Sequence, residues 1–348
     1  MFSRDTNIDW YRTPVDRAVL DELMQRSDVR GWIQTLSHLG AWFGTGWLAF
    51  IAYSALGVHN WTWCFPLLII ILFVHGTVGP FLGLIAIHEL QHRTVFKTRA
   101  LNEFFELFYA FCSWADFIWY QQSHPLHHKA TCHHAHDGEI YLPQKFSLSR
   151  WQVWLGLLAW NPLTTVALIR KWWRVAHGHV DGTWAQHVLP ADNKKLRLKY
   201  RRWAWTLLLG HGSIAAIFVA TGNWFLVVVF TIGTQYCSWL GFLCGLPQHY
   251  GMQPNVPDFR YSTRTFTCSW LPAFLYWNMQ YHVEHHMYPA VPFFNLPKLR
   301  KALAHDLPPA PHGLRETWRQ MLEIKRKVSA DPNYQFVPAV PKQAQTNS

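Results

Sequence analysis

Residues 64–92 read CFPLLIIILFVHGTVGPFLGLIAIHELQH, a long apolar run that ends in a pair of histidines. The run is long enough to cross the hydrocarbon core of a bilayer, which takes about 20 residues. His88 and His92 have the HExxH spacing of zinc metalloproteases, in which Glu89 would be the general base. The stretch therefore predicts a membrane-spanning helix with candidate metal ligands at its end.

The rest of the chain has the composition of a polytopic membrane protein. Of its 348 residues 50% are hydrophobic, with 21 Trp and 23 Phe, which is unusual for a soluble enzyme. Four apolar runs are long enough to span a bilayer. They lie at residues 36–57, 64–88, 203–220 and 223–245. We therefore expect an all-α integral membrane protein with about four transmembrane helices.

The positive charges predict how these helices are oriented. The connectors at 58–63 and 221–223 contain no Lys or Arg. All 31 basic residues lie in the other segments, with 5 in residues 1–35, 15 in residues 89–202 and 11 in residues 246–348. Because Lys and Arg concentrate on the cytoplasmic side, both termini, the middle loop and the histidine boxes are expected there. A basic rim beside anionic lipid head groups, or a basic site for an anionic substrate head, accounts for the net charge of +11 without nucleic acid.

Four shorter helices are predicted outside the spans. They lie at residues 103–119, 151–169, 295–305 and 313–329. The first two are Trp-rich and are interpreted as interfacial or re-entrant helices, whereas the last two are amphipathic. The predicted division of the chain is a cytoplasmic N-terminal segment at 1–35, a membrane domain at 36–330 and a C-terminal tail at 331–348.

Histidines are concentrated in three short boxes, HELQH (88–92), HPLHH (124–128) and HVEHH (282–286). On an α-helix, positions i, i+3 and i+4 fall within about 100° of arc, so each HxxHH box can direct three imidazoles at one point. Pro125 would fit the first turn of such a helix, where its missing N–H costs nothing. The candidate metal ligands in the boxes are His88, His92, His124, His127, His128, His282, His285 and His286.

Eight imidazoles are too many for one ion. A catalytic zinc ion takes three protein ligands, so a zinc protease would leave five of the eight unused. Such a protease would also need an acidic ligand in another span, and the four predicted spans contain no Asp or Glu. Two five- or six-coordinate iron ions would use all eight histidines and accept more.

Other histidines near the boxes are weaker candidates. His249 in CGLPQHYGM follows the fourth predicted span directly and is a ninth candidate ligand, with a loop histidine bonded to backbone as the alternative. His133, His134 and His136 continue the second box and are expected to be solvated or to support the ligands. Cys132 lies among them, but a thiolate ligand is not expected in a site so rich in imidazole.

The order and spacing of the three boxes resemble those of the membrane fatty acid desaturase family. MYPAVPFFNLPKL at 287–299 is also similar to the family's stretch after its third box, and the resemblance covers about residues 36–305. It implies a mushroom-shaped, four-span helical protein whose cytoplasmic helical cap holds two iron ions that activate O₂. It also implies that the eight box histidines are iron ligands and that His249 is an additional one.

Two departures from the family pattern leave the reaction open. Leu90 and Gln91 stand where many members have a small pair such as Cys-Gly or Ser-Gly, and TCHHAHDGE at 131–139 differs from the usual Thr-Asn pattern. The first box, followed by Arg93, is also similar to that of membrane alkane hydroxylases. We expect desaturation of a fatty acyl chain. The alternatives are hydroxylation of a fatty acid or alkane, and oxidative decarboxylation of a free fatty acid to a terminal alkene.

The predicted chemistry needs further groups. The sequence has no haem or iron–sulfur motif, and its six cysteines show no CxxC spacing, so an external ferredoxin, cytochrome or reductase is expected to supply electrons. Carboxylates close to the boxes are expected to fix the ring tautomers of the ligands. These candidates are Glu89, Asp137, Glu139 and Glu284. A long acyl chain would enter between the helices from the bilayer.

Overall fold

The computed structural model describes residues 2, 7–57 and 61–341. Regular secondary structure within them is helical, with only two isolated bridges between extended residues. The sixteen α-helices are α1 (Arg17–Leu23), α2 (Asp28–Ala55), α3 (Trp61–Val78), α4 (Ile87–Gln91), α5 (Arg99–Ser113), α6 (Phe117–Ala130), α7 (Trp151–Leu158), α8 (Pro162–Ala176), α9 (Thr183–Val188), α10 (Lys194–Ala220), α11 (Trp239–Gly245), α12 (Phe259–Ser262), α13 (Trp270–Leu275), α14 (His282–Met287), α15 (Leu296–Leu303) and α16 (Gly313–Ala330). Short π and 3₁₀ turns are Leu82–Ala86, Val227–Thr231, Leu246–Gln248 and Phe293–Asn295. The all-α fold class is confirmed.

Three long helical stretches contain the first three predicted spans, except that α2 ends two residues before the first span does. α2 begins where the Ser27 hydroxyl accepts a hydrogen bond from the Arg30 amide, and it packs along α3. α3 continues through a π turn into α4, so that the first histidine box lies at the end of a long apolar helix. Within the described residues, two helical stretches have the length and composition of a membrane span, Trp61–Gln91 with 31 residues and Lys194–Ala220 with 27.

The predicted span at 223–245 is not one continuous helix. Residues 232–238 separate the π turn at Val227–Thr231 from α11 and form no helix. The helix is interrupted because the corner between α7 and α8 pairs with this backbone, where the Cys237 amide donates to the Ala159 carbonyl at 2.8 Å. Contacts of this kind satisfy backbone groups that a continuous helix would have bonded internally.

Two of the shorter predicted helices are each broken into two. The prediction at 103–119 crosses from α5 into α6, and Trp114, with a left-handed φ of 58°, ends α5. The prediction at 151–169 crosses from α7 into α8, where the Asn161 side chain caps the start of α8. The two amphipathic helices predicted near the C-terminus are confirmed as α15 and α16.

The N-terminal segment packs on α12 and the C-terminal segment on the turn that follows His249. Trp10 stacks on Phe259 of α12 with ring centroids 4.1 Å apart, and the Phe336 amide donates to the Gly251 carbonyl at 3.1 Å. The domain limits derived from the sequence remain a prediction. Residues 342–348 of the predicted tail lie outside the described part of the chain.

Candidate metal centre

The nine predicted histidines come together in two adjacent clusters. Cluster A consists of His88, His92, His124, His128 and His285, and cluster B of His127, His249, His282 and His286. Within each cluster one nitrogen of every ring lies within 4.8 Å of the corresponding nitrogens of the other rings. The clusters adjoin, since the rings of His128 and His286 stack with centroids 4.3 Å apart.

Each HxxHH box divides its histidines between the two clusters. In α6, His124 and His128 enter cluster A and His127 enters cluster B, whereas α14 contributes only His285 to cluster A and its other two histidines to cluster B. On a helix, residue i+4 is rotated about 40° from residue i, and residue i+3 lies about 60° to the other side. The expectation that each box aims three imidazoles at one point is therefore wrong. Pro125 lies inside α6 rather than in its first turn.

The Nε2 atoms within each cluster converge. In cluster B, Nε2 of His282 lies 3.0 Å from that of His249 and 3.1 Å from that of His286. In cluster A, the Nε2 atoms of His124 and His128 are 3.0 Å apart. Two nitrogens that bind one ion at about 2 Å lie about 3 Å apart when they are at right angles. The spacing fits a shared metal ion in each cluster.

Buried nitrogens without a hydrogen-bond partner in cluster A also indicate a metal site. Nε2 of His88 and of His92 are both buried and have no hydrogen-bond partner among the described residues. A buried polar atom without a partner costs free energy, so a native site normally supplies one. A metal ion would satisfy both atoms, and an all-imidazole donor set suits a divalent transition metal.

Burial keeps most of these rings neutral, which is the protonation state that binds metal. It lowers the pKa of His249 to about 3. It also lowers the pKa values of His124, His128, His282, His285 and His286. Burial acts in the same direction on His127, but the neighbouring Asp137 carboxylate outweighs it and raises the pKa of that ring.

Three of the four predicted carboxylates hold a ring through its Nδ1 atom. The bonds are His88 to Glu89 at 2.8 Å, His124 to Glu139 at 2.9 Å and His127 to Asp137 at 2.8 Å. When Nδ1–H donates to a carboxylate, the unprotonated Nε2 is left free for the cluster. The role predicted for Glu89, Asp137 and Glu139 agrees with these contacts.

The fourth carboxylate, Glu284, has other partners. It accepts hydrogen bonds from Arg300 at 3.1 Å and from the Thr265 hydroxyl at 2.5 Å. Burial raises the pKa of Glu284, and Arg300 opposes this shift. Glu284 lies two residues after His282 on the same helix, so its side chain points about 200° away from the His282 ring. The prediction that Glu284 orients a ligand is wrong.

Two neutral oxygens also hold rings; sequence reasoning missed Thr131, whereas for His249 it offered a bond to backbone only as an alternative to metal binding. The Thr131 hydroxyl donates to the His127 carbonyl at 2.8 Å, so its oxygen accepts from His286 Nδ1 at 3.0 Å. The Ser262 carbonyl accepts from His249 Nδ1 at 3.0 Å. Threonine hydroxyls and backbone carbonyls carry no distinctive sequence signal, although Thr131 lies only three residues after the second box.

The other polar residues after the second box lie outside both clusters. His133 Nδ1 donates to the Thr131 carbonyl at 3.1 Å, and His134 stacks on Tyr141 with centroids 4.2 Å apart. His136 is half-buried and belongs to neither cluster. The Cys132 sulfur lies 3.5 Å from His249 Nδ1, a ring nitrogen that points away from the converging Nε2 atoms.

A mostly apolar cavity of about 300 Å³ lies against both clusters. Imidazoles of cluster A and cluster B, among them His88 and His282, form part of its wall, and Leu84, Ile87 and Phe117 are among the apolar side chains that line the rest. Its volume is at the lower end of the range of ligand pockets, about 300–1,000 Å³. An apolar chain in this cavity would lie beside both histidine clusters.

Comparison with known proteins identifies the family of this chain. A search of curated proteins finds no match. The family model described as "Fatty acid desaturase" matches residues 70–318, a region that includes all nine histidines of the two clusters. Because this match covers well over half of its length, the chain belongs to the fatty acid desaturase family.

Proposed function

We propose that this protein is a membrane-bound, O₂-dependent di-iron desaturase that introduces a C=C bond into a fatty acyl chain. The observation that carries the proposal is that two histidine clusters share one mostly apolar cavity. Family membership supports a fatty-acyl-modifying oxidoreductase, and the cavity adds a place where methylene groups would meet the metal centre.

In this proposal each cluster holds one iron ion. Cluster A uses His88, His92, His124, His128 and His285, and cluster B uses His127, His249, His282 and His286. When bound, the iron pair supplies the O₂ activation that removal of hydrogen from an unactivated CH₂ requires. Neutral imidazoles can hold such ions and still leave coordination positions open.

The chain's own groups position the reactants. Glu89, Asp137 and Glu139 hold their rings so that the Nε2 atoms face the clusters. The apolar wall of the cavity excludes water and fixes which carbons of the chain lie beside the clusters. That placement selects the carbons from which hydrogen is removed, because reacting groups must lie within about 3–3.5 Å.

We place the apolar helices in a bilayer, with both clusters and both termini on the cytoplasmic side. Trp61–Gln91 and Lys194–Ala220 support this placement by length and composition. α2 adds exposed apolar side chains such as Trp47, Leu48 and Ile51. The fourth span is then formed by the interrupted segment between α10 and α12. Electrons come from an external ferredoxin, cytochrome or reductase.

The test is expression of the full chain in a host with simple lipids, followed by metal analysis and mass spectrometry of fatty acids and volatile hydrocarbons. We expect close to two iron ions per chain and a new double bond, and a His282→Ala variant should form no double bond and hold fewer than two irons. A hydroxylated acid would instead indicate hydroxylation, and a terminal alkene one carbon shorter would indicate oxidative decarboxylation. One zinc ion with negligible iron would overturn the di-iron centre.

A further inference from the structure

A second cavity, of about 550 Å³, also reaches cluster A. Its wall contains His92 and His128, and the side chains beside them are polar, with Glu106, Gln121 and Gln122 prominent among them. At about 30 Å³ per water molecule, a cavity of this size has room for a chain of waters. The centre is therefore approached by two cavities of opposite character.

Helix α6 separates the two cavities. Tyr120 lines the apolar cavity and the next residue, Gln121, lines the polar one, while His124 contributes to the walls of both. Successive residues of a helix point about 100° apart, which directs neighbouring side chains to different sides. The substrate cavity of the proposed function and the polar cavity thus meet at a histidine of cluster A.

Glu106 of α5 is the buried acid of the polar cavity. It is 5% exposed, and its carboxylate accepts a hydrogen bond from the Gln121 amide at 2.9 Å. Lys199 of α10 donates to the same Gln121 side chain at 3.4 Å. Burial raises the pKa of Glu106, and Glu103 adds to the shift while Gln121, Arg93 and Lys199 oppose it. A buried carboxyl whose pKa is raised keeps its proton to higher pH than an ordinary carboxyl does.

The proposed reaction needs such a proton source. One O₂, two electrons from a ferredoxin-class donor, two protons and a CH₂–CH₂ unit yield one CH=CH unit and two water molecules. Two C–H bonds and the O–O bond break, and four O–H bonds and the second bond of the C=C unit form. An acyl chain in the apolar cavity cannot deliver the two external protons or let the product water leave.

We infer that the polar cavity is the route for protons and water, and that Glu106 relays protons from solvent through this cavity to cluster A. The inference rests on the proposed function. Glu106 gives up its proton through water in the cavity, the proton ends in product water, and the carboxylate is reprotonated from solvent past Arg93, an exposed residue of the cavity wall. Glu106 is a positioning residue for the proton, since it acts through water.

The test uses the full iron-loaded chain in the host membranes in which it forms product. The centre is reduced with dithionite and mixed with O₂, and the unsaturated product, H₂O₂ and iron are measured over a range of pH. We expect Glu106→Gln to keep its iron and to lower the rate of product formation per iron about 10²–10⁴-fold, as loss of a proton donor does. The variant should also release H₂O₂ and lose the fall in rate at alkaline pH. Glu106→Asp is expected to recover part of the yield.

The matched control is Glu103→Gln on the same helix. Glu103 is exposed, pairs with Arg99 at 2.7 Å and with Arg93 at 3.6 Å, and is outside the polar cavity, so its variant should keep the wild-type iron content and yield and release no H₂O₂. Because Glu103 helps to raise the pKa of Glu106, its alkaline fall in rate should move to lower pH but remain. Wild-type yield and pH profile in Glu106→Gln, without H₂O₂, would overturn the relay. If Glu106→Gln loses iron, Gln121→Met decides, because it removes the hydrogen bonds of Gln121 to Glu106 and from Lys199 while the acid itself stays in place. It should then release H₂O₂, and wild-type coupling would overturn the relay. If the wild-type chain holds two irons but forms no product, this result contradicts the proposed function rather than the relay.

Discussion

Asp137 supports cluster B more heavily than any other carboxylate, which makes Asp137→Asn a strong test of the site. The side chain is fully buried. One carboxylate oxygen accepts from His127 Nδ1 and from the Cys132 amide, both at 2.8 Å. The other accepts from the amides of Glu139 at 2.9 Å and Ile140 at 3.3 Å. Four N–H donors therefore converge on one side chain.

Asparagine cannot satisfy four donors, because one of its two terminal groups is itself an NH₂ donor. Whichever way the amide is turned, two buried N–H groups face this NH₂ group and lose their acceptor. Each buried donor left without a partner costs about 1–3 kcal/mol, so the variant should be less stable by about 2–6 kcal/mol. A neutral amide is also a weaker acceptor than the carboxylate that orients His127, so metal binding at cluster B should weaken about 10–100-fold.

The assay is iron retention during titration with a chelator, combined with thermal unfolding in detergent. In Asp137→Asn we expect iron to fall from two toward one per chain, since cluster A contains no ring held by Asp137. Asp181→Asn is the matched control, because Asp181 is exposed and pairs with Arg174 at 2.8 Å. Two irons per chain with wild-type chelator resistance in Asp137→Asn would refute the reasoning.

Three further substitutions test other parts of the site. His285→Ala should abolish product and lower iron content, whereas His133→Ala, outside both clusters, should leave iron content unchanged; equal iron in the two variants would remove His285 from the ligand set. Ala115→Phe should fill the apolar cavity, so that gas chromatography finds little product while two irons remain; a full yield would exclude this cavity as the substrate site. Arg300→Met leaves the buried Glu284 carboxylate without its cation and should lower stability by about 3–5 kcal/mol in thermal unfolding. The double variant with Glu284→Gln should recover most of this loss, and an unchanged melting temperature in the single variant would contradict the buried pair.

Much of the candidate site could be predicted from the sequence, because its ligands lie in short helical boxes. Spacing alone identified the eight box histidines, and the position of His249 after an apolar run added the ninth. Spacing did not predict that each box divides its histidines between two clusters. A helical wheel gives only relative angles, so whether an arc of 100° faces one ion or two depends on where the other helices lie.

The largest difference between sequence and structure concerns the segment at 223–245. Its hydropathy predicts an uninterrupted span, since apolar windows measure only composition and length. The break after Thr231 depends on a backbone bond between Cys237 and Ala159, residues about eighty positions apart in the chain. The acceptor for His249 is likewise a carbonyl, that of Ser262. Backbone contacts of this kind leave no mark in residue types.

The division of the boxes explains why a histidine outside them is needed. Both histidines of the first box enter cluster A, which also receives two from the second box and one from the third. Cluster B receives only one from the second box and two from the third, so the boxes alone give it three imidazoles. His249 supplies the fourth. α11 leads into the 3₁₀ turn Leu246–Gln248, and His249 follows this turn directly. The interrupted fourth apolar segment thus ends at cluster B, to which the first box contributes no histidine. This segment departs from a simple four-span pattern, and it positions the histidine that completes cluster B.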